Sequence, residues 1–196
     1  MKKIYMIRHA QSIANAGLQS SDPATIPLSN LGKEQASILA ANRTETIDLI
    51  IYSKYIRTYE TAKPMIENFF NASLVQSPHI HEFTYLDPMQ CMNTTIEQRK
   101  EARENFWNNE DLFHQDGPRS ESVDQFFTRV NFFVDYIHTL PAKSIAVFSH
   151  GQFIRMLVDI LKYPNKEYTK REVNHLLYET EDIQNCGCVD ITPWVQ

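Results

Sequence analysis

Apolar positions along this chain fall into short runs that alternate with helical stripes. Lys3 to Ile7 is a short, mostly apolar run that stops abruptly at Arg8-His9, as a buried parallel strand does when it empties into a loop. Ser29 then precedes a helical pattern that carries Leu31, Ile38 and Leu39 on one predicted buried face. Asp48-Leu-Ile-Ile-Tyr52 reads as a second buried strand, and Thr58, Ala62, Met65, Ile66 and Phe69 form the stripe of the helix after it. Capping-box spacing marks two further helix starts, Thr94 with Glu97 and Ser122 with Gln125. The second opens a stripe of Val123, Phe126, Phe127, Val130, Val134 and Ile137. Ser144 to Ser149 is another buried run, ending in His150-Gly151 and followed by Phe153, Ile154, Leu157 and Leu161 at helical spacing.

Strands alternating with helices predict an α/β fold, one domain over residues 1–196 around a mainly parallel sheet, with a last strand near Cys188 to Ile191. Residues 83–119 break the alternation. They hold Pro88, a helix expected from about Ile96 to Trp107, and a polar loop ending Asp116-Gly117-Pro118, and read as a lid over the sheet.

Composition bounds the function. A chain of 196 residues, 42% hydrophobic and 11% aromatic, suffices for one core and is short for two. A formal net charge of -5 leaves no basic excess to condense on nucleic acid or anionic lipid, so an anionic ligand has to be held by a local cluster. Met1-Lys2-Lys3-Ile4 runs into Arg8 too soon for a signal-peptide core, and no apolar run spans a bilayer, so the expected location is cytoplasmic. Cys91, Cys186 and Cys188 are an odd set without the second pair a zinc site needs, and are expected as buried or edge-strand thiols. His79 and His81, two apart beside Glu82, would lie on one face of a strand, but nothing completes a metal site. No metal and no cofactor is expected.

In an open parallel sheet, ligands settle beyond the carboxyl ends of the strands, so residues distant in sequence converge there. His9 and His150 both follow predicted strands. A single histidine at a strand end is often a packed or solvated imidazole; two at matching positions argue for a shared pocket. Arg8 adds a planar, permanently charged fork beside His9, and Arg57 opens the helix after the second strand, either as an anion donor or as a solvated helix residue. Asn15 offers a loop amide, as a donor or as a turn former. Two guanidinium groups, two imidazoles and an amide suit a tetrahedral dianion such as a phosphoryl group.

With these residues assembled, the chain resembles the histidine phosphatase superfamily, also called the phosphoglycerate mutase-like family, over most of its length. Arg8-His9-Ala10-Gln11-Ser12 with Asn15 resembles the family's opening Arg-His-Gly signature, and Pro27-Leu-Ser-Asn-Leu-Gly-Lys-Glu-Gln-Ala36 its second segment. Ser53 through Arg57 to Thr61-Ala62 resembles the phosphate-binding arginine motif, Glu82 the acidic residue before the lid, Glu121-Ser122 the next helix start, and Ser149-His150-Gly151 the second-histidine motif. Ala10 stands where the family usually has glycine, adding a methyl group beside His9, and Gln11 replaces a frequent glutamate.

The resemblance implies a three-layer sandwich with helices on both faces of the sheet. It implies His9 as nucleophile, Arg8, Arg57 and a cationic His150 on the phosphoryl group, Glu82 as proton donor, and assistance from Asn15 and the Gly151 amide. The expected reaction is hydrolysis of a phosphomonoester, small molecule or phosphoprotein, through phosphohistidine, with Glu82 then activating water. For His9 to attack, its other ring nitrogen has to donate to a fixed acceptor, expected to be a backbone carbonyl. Two alternatives stand beside this: a mutase-type isomerase that returns the phosphoryl group to its intermediate, with Arg99, Lys100 and Arg103 either as lid cations or as a solvated helix face, and a non-catalytic phospho-ligand module. There is no Gly-x-Ser-x-Gly elbow, no phosphate-cradling loop ending in Gly-Lys-Ser/Thr and no His-Glu-x-x-His.

Overall fold

Strict alternation along the first strand sets the layers. In the computed structural model, which describes residues 2–19 and 22–195, β1 (Lys3–Arg8) turns Ile4 and Met6 to one face and Tyr5 and Ile7 to the other. The chain continues through α1 (Asn30–Ala41), β2 (Leu49–Ser53), α2 (Ile56–Asn68), β3 (Ser73–Ser77), α3 (Pro88–Cys91), a 3-10 turn (Glu97–Arg99) and α4 (Lys100–Asn108). It ends with α5 (Val123–Thr139), β4 (Ser144–Ser149), α6 (Gly151–Lys162), α7 (Lys170–Tyr178), β5 (Cys188–Asp190) and a 3-10 turn (Thr192–Trp194).

The sheet has five strands in the order β3-β2-β4-β1-β5. β3, β2, β4 and β1 pair in parallel, and only β5 runs antiparallel, against β1. On one face Tyr5, Ile7, Ile50, Ala146 and Phe148 pack with Ala40 of α1 and Ala62 and Met65 of α2. On the other, Ile4, Met6, Ile51, Ile145 and Val147 pack with α5 and α6 through Phe126, Val130, Phe133, Phe153 and Leu157. This is the three-layer α/β sandwich. Each fully buried Ile, Leu or Phe contributes roughly 1.5–3 kcal/mol of hydrophobic stabilisation, so the two apolar faces hold the layers together.

Several local expectations need correction. Leu31 and Ile38 are exposed at 50% and 61%; the buried face of α1 is Gly32, Ala36 and Ala40. The reason is close approach: a Cβ at Gly32 would sit 2.0 Å from the carbonyl oxygen of Gln11, so the helix docks on backbone through its smallest residues. In 83–119 the capping box forms one residue later than its predicted position, with Thr95 and Gln98 exchanging side-chain and backbone hydrogen bonds. A 3-10 turn precedes α4 there. The Ser122 and Gln125 box forms as expected, and a third, Thr169 with Glu172, opens the unforeseen α7. β3 was not expected either, and His79 and His81 lie in a loop after it rather than on a strand.

Cys91 is buried in α3 and Cys188 lies on the edge strand β5; all three cysteines are free. No helix among the described residues is long and apolar enough to cross a membrane.

Candidate active site

Because β1, β2 and β4 are parallel neighbours, their carboxyl ends open on one side of the sheet. His9 follows β1, Arg57 lies in the first turn of α2 after β2, and His150 follows β4. All three are buried, and they touch. The His9 and His150 rings lie 5.1 Å apart at an interplanar angle of 63°. Arg57 joins them, donating from Nε to His9 Nε2 at 3.2 Å and from Nη2 to His150 Nδ1 at 3.1 Å.

The partners of each ring fix its tautomer. His9 Nδ1 lies 2.7 Å from the carbonyl oxygen of Ala10, which can only accept, so the ring proton is on Nδ1 and the Nε2 lone pair faces Arg57. This is the backbone carbonyl that the sequence could not name. His150 Nδ1 accepts from a guanidinium, so its proton is on Nε2 and is donated to Ser53 Oγ at 2.8 Å. Ser53 Oγ also accepts from the Tyr55 amide, which turns its own proton towards Thr58 Oγ1 at 3.1 Å. Burial, then the charge of Arg57, hold both imidazoles well below the ordinary histidine pKa. With Nδ1 accepting from a guanidinium, His150 is neutral in this arrangement; the cation was expected against a phosphoryl group.

Ala10 raises no strain. The positive-φ residues other than glycine among those described are Asn93 and Cys186. Its methyl packs with Leu28 and Ala36, and its amide donates to Thr61 Oγ1 at 3.0 Å. Gln11 turns away from the site, accepting at 2.7 Å from Ser29, the N-cap of α1.

Arg8 reaches the same region from the end of β1. Its Nη1 donates to Asp182 Oδ2 at 2.9 Å and to the Ile183 carbonyl, while its Nε is buried without a partner. A Cβ on Gly151 would lie 3.4 Å from that Nε, which places the orphaned donor beside the N-terminus of α6. A buried, unpartnered guanidinium donor beside the first residue of a helix is an anion-binding feature.

Glu82 sits over the same helix start. His150 provides no side-chain cap for α6, and Glu82 supplies one from a distant loop. Its Oε1 accepts from Phe153 N at 3.2 Å and Phe83 N at 3.1 Å, its Oε2 from Gln152 N at 3.3 Å. Burial raises its pKa above the usual carboxylate range against the opposing pull of Arg57. Asn15 is exposed in the loop after His9, where its Oδ1 accepts from Ser12 and, at 3.4 Å, from Asn185 Nδ2.

Residues that carried no signal in sequence hold this arrangement from behind. The segment between α7 and β5 folds over the end of β1, with Asn185 Nδ2 donating to the His9 carbonyl at 2.9 Å and Cys186 N to the Arg8 carbonyl at 3.1 Å. Asp182 pairs with both Arg8 and Arg155. Ser53 and Thr61 did lie inside a quoted motif, without a role; Ser53 becomes the acceptor for His150 because β2 lies beside β4.

A family model described as the histidine phosphatase superfamily (branch 1) matches residues 4–188. The chain belongs to this superfamily. Among curated relatives, the protein named probable phosphoglycerate mutase GpmB of Yersinia enterocolitica is 27% identical over 82% of this chain and 75% of its own. The protein of that name from Photorhabdus laumondii is 26% identical over 100% of this chain and 88% of its own. Among solved structures, the alpha-ribazole phosphatase of Shigella flexneri aligns with a TM-score of 0.73 at 20% identity, over 96% of this chain and 89% of that one. A phosphoserine phosphatase of Entamoeba histolytica aligns with a TM-score of 0.73 at 19% identity, over 97% and 90%. These structures share the histidine phosphatase fold with this chain, and the superfamily includes both phosphatases and mutases.

Proposed function

We propose that the protein is a phosphomonoester hydrolase that forms phosphohistidine on His9. The observation that carries the reading is the pairing around one ring: Nδ1–H is donated to the Ala10 carbonyl, and the Nε2 lone pair points at the guanidinium of Arg57. A neutral imidazole oriented in this way is a competent nucleophile. A phosphoryl group entering between His9 and Arg57 takes over the Arg57 Nε hydrogen, which releases the lone pair as it neutralises the oxygens.

The remaining roles follow from position. Arg8, through its unpartnered Nε, and Arg57 bind equatorial oxygens, with the Gly151 amide and Asn15 assisting. His150 either donates after taking up a proton with the dianion or holds Arg57 in line as a neutral acceptor. Glu82, protonated, passes its proton to the ester oxygen as the O–P bond breaks; as carboxylate it then takes a proton from the water that attacks phosphohistidine. Residues 83–119 act as the lid that limits access to this site.

The names of the curated relatives favour a second reading, a mutase-type transfer. Rate measurements separate the two. The hydrolase reading expects steady release of inorganic phosphate from phenyl phosphate, abolished in His9→Ala, and no interconversion of phosphoglycerates in a coupled assay with a bisphosphoglycerate. Interconversion faster than hydrolysis would establish the mutase instead, and binding of phosphate esters without turnover a non-catalytic module.

A further inference from the structure

The cavity that opens from Arg57 and Glu82 measures about 220 Å³ and runs under the segment that follows β3. Its walls are mainly apolar, formed by Ile26, Tyr55, Phe83, Tyr85, Leu86 and Ile96. Besides Arg57, the cationic groups lining it are Arg99 and Arg103, both from the 83–119 segment. Resting on the phosphatase reading above, we infer that the substrate is the phosphate ester of a compact, largely apolar alcohol about one ring in size, with an anionic substituent that pairs with Arg103.

Size comes first. An apolar cavity of about 150 Å³ accommodates benzene, so the space next to the apolar walls here matches a single ring with a short arm better than a nucleoside. Polarity is the second constraint. Two hydroxyls that a polyol would look to are already engaged: Tyr55 Oη and Thr84 Oγ1 lie 3.1 Å apart, and Thr84 Oγ1 also donates to the Glu82 carbonyl. Several sugar hydroxyls entering here would find the donors of Arg103 but few further partners among the apolar walls, and a buried unpaired hydroxyl is unfavourable.

The two arginines differ. Arg99 is tied down, its Nε on Thr94 Oγ1 at 2.6 Å and its Nη2 on the Thr94 carbonyl at 2.7 Å. Arg103, one turn along α4, has no hydrogen bond or ion pair with any described residue. It is half-buried against the apolar wall, so a carboxylate on the leaving group would meet a partly desolvated guanidinium able to bind both its oxygens.

The test compares benzyl phosphate, 3-carboxybenzyl phosphate, glucose 6-phosphate and AMP, by kcat/KM on the native protein and by calorimetric Kd on His9→Ala. The expected order in both readouts is 3-carboxybenzyl ahead of benzyl by about 10-fold. Benzyl is expected ahead of glucose 6-phosphate and AMP by at least roughly 10-fold. Arg103→Ala should erase the advantage of the carboxylate, lowering 3-carboxybenzyl phosphate about 10-fold more than benzyl phosphate; Arg103→Glu should turn the preference to 3-(aminomethyl)benzyl phosphate. Equal or better use of glucose 6-phosphate or AMP overturns the inference, as does an Arg103→Ala loss that falls equally on both benzyl esters. If no ester is turned over while the affinities keep the expected order, the phosphatase reading fails and the assignment of the cavity stands.

Discussion

Asp182 holds Arg8 by one edge of its guanidinium, at 2.9 Å, and leaves the buried Nε of the same side chain without a partner. The carboxylate is exposed and lies in the segment between α7 and β5, far from β1 in sequence. It acts as a positioning residue, and removing it leaves the Arg8 Nη1 held by the Ile183 carbonyl alone. Asp182→Ala should lower kcat/KM by roughly 10- to 100-fold, mainly through KM, because small misplacements of a binding group are costly. Inhibition by inorganic phosphate should weaken in parallel while Tm stays nearly constant. A Tm loss without change in phosphate inhibition would assign Asp182 a purely structural role.

Glu82 should matter in proportion to how badly the leaving group needs a proton. Glu82→Gln is expected to cost roughly 10²- to 10⁴-fold with benzyl phosphate and far less with 4-nitrophenyl phosphate. Burial raises the pKa of this carboxyl, so its protonated fraction falls as pH climbs through that raised value. The native profile with benzyl phosphate should therefore decline on the alkaline side, and the decline should vanish in the variant. An identical penalty for both esters would remove Glu82 from the proton-transfer role.

Ser53→Ala removes the acceptor of the buried His150 Nε2–H. Leaving that donor unsatisfied should cost about 1–3 kcal/mol in unfolding free energy, measured by urea titration. It should also release the ring to the other tautomer, in which Nδ1–H faces the Arg57 guanidinium, and so lower kcat. Ser53→Thr, which keeps the hydroxyl, should restore most of the activity.

Stability should fall with acid through His81. Its Nδ1 donates to the Pro78 carbonyl at 2.7 Å, and burial, then the Arg129 charge, pull its pKa down to about 3. The unfolded chain titrates this group near 6.5, so between these values the unfolded state holds more protons. Stability present in full above about pH 6.5 is therefore lost as pH falls towards about 3. His9 and His150 act in the same direction, Glu82 in the opposite one. At pH 5 the share of His81 is on the order of 2 kcal/mol, and urea denaturation of His81→Gln should show a correspondingly shallower pH slope.

The central strands were legible because they are buried on both faces and so read as unbroken apolar runs. β3, Ser73–Ser77, was not, because it is an edge strand with three exposed positions in five. The stripe assigned to α1 failed for a related reason, since hydrophobicity favours Leu31 and Ile38 while close docking on Gln11 selects Gly32, Ala36 and Ala40. The convergence of His9, Arg57 and His150 could be read from sequence because each follows a parallel strand. Asp182 and Asn185 could not, since they reach Arg8 and His9 through a tertiary fold-back with no periodic signature.

Nearly every assignment above depends on phosphorus reaching the Nε2 of one imidazole. The protein should be mixed with ³²P-labelled 4-nitrophenyl phosphate, quenched in alkaline denaturant within milliseconds, digested and sequenced by mass spectrometry. The account predicts base-stable, acid-labile label on the peptide bearing His9, absent from His9→Ala and accumulating further in Glu82→Gln if attack of water is slowed. Turnover with no labelled histidine, or label on His150 in place of His9, would contradict it.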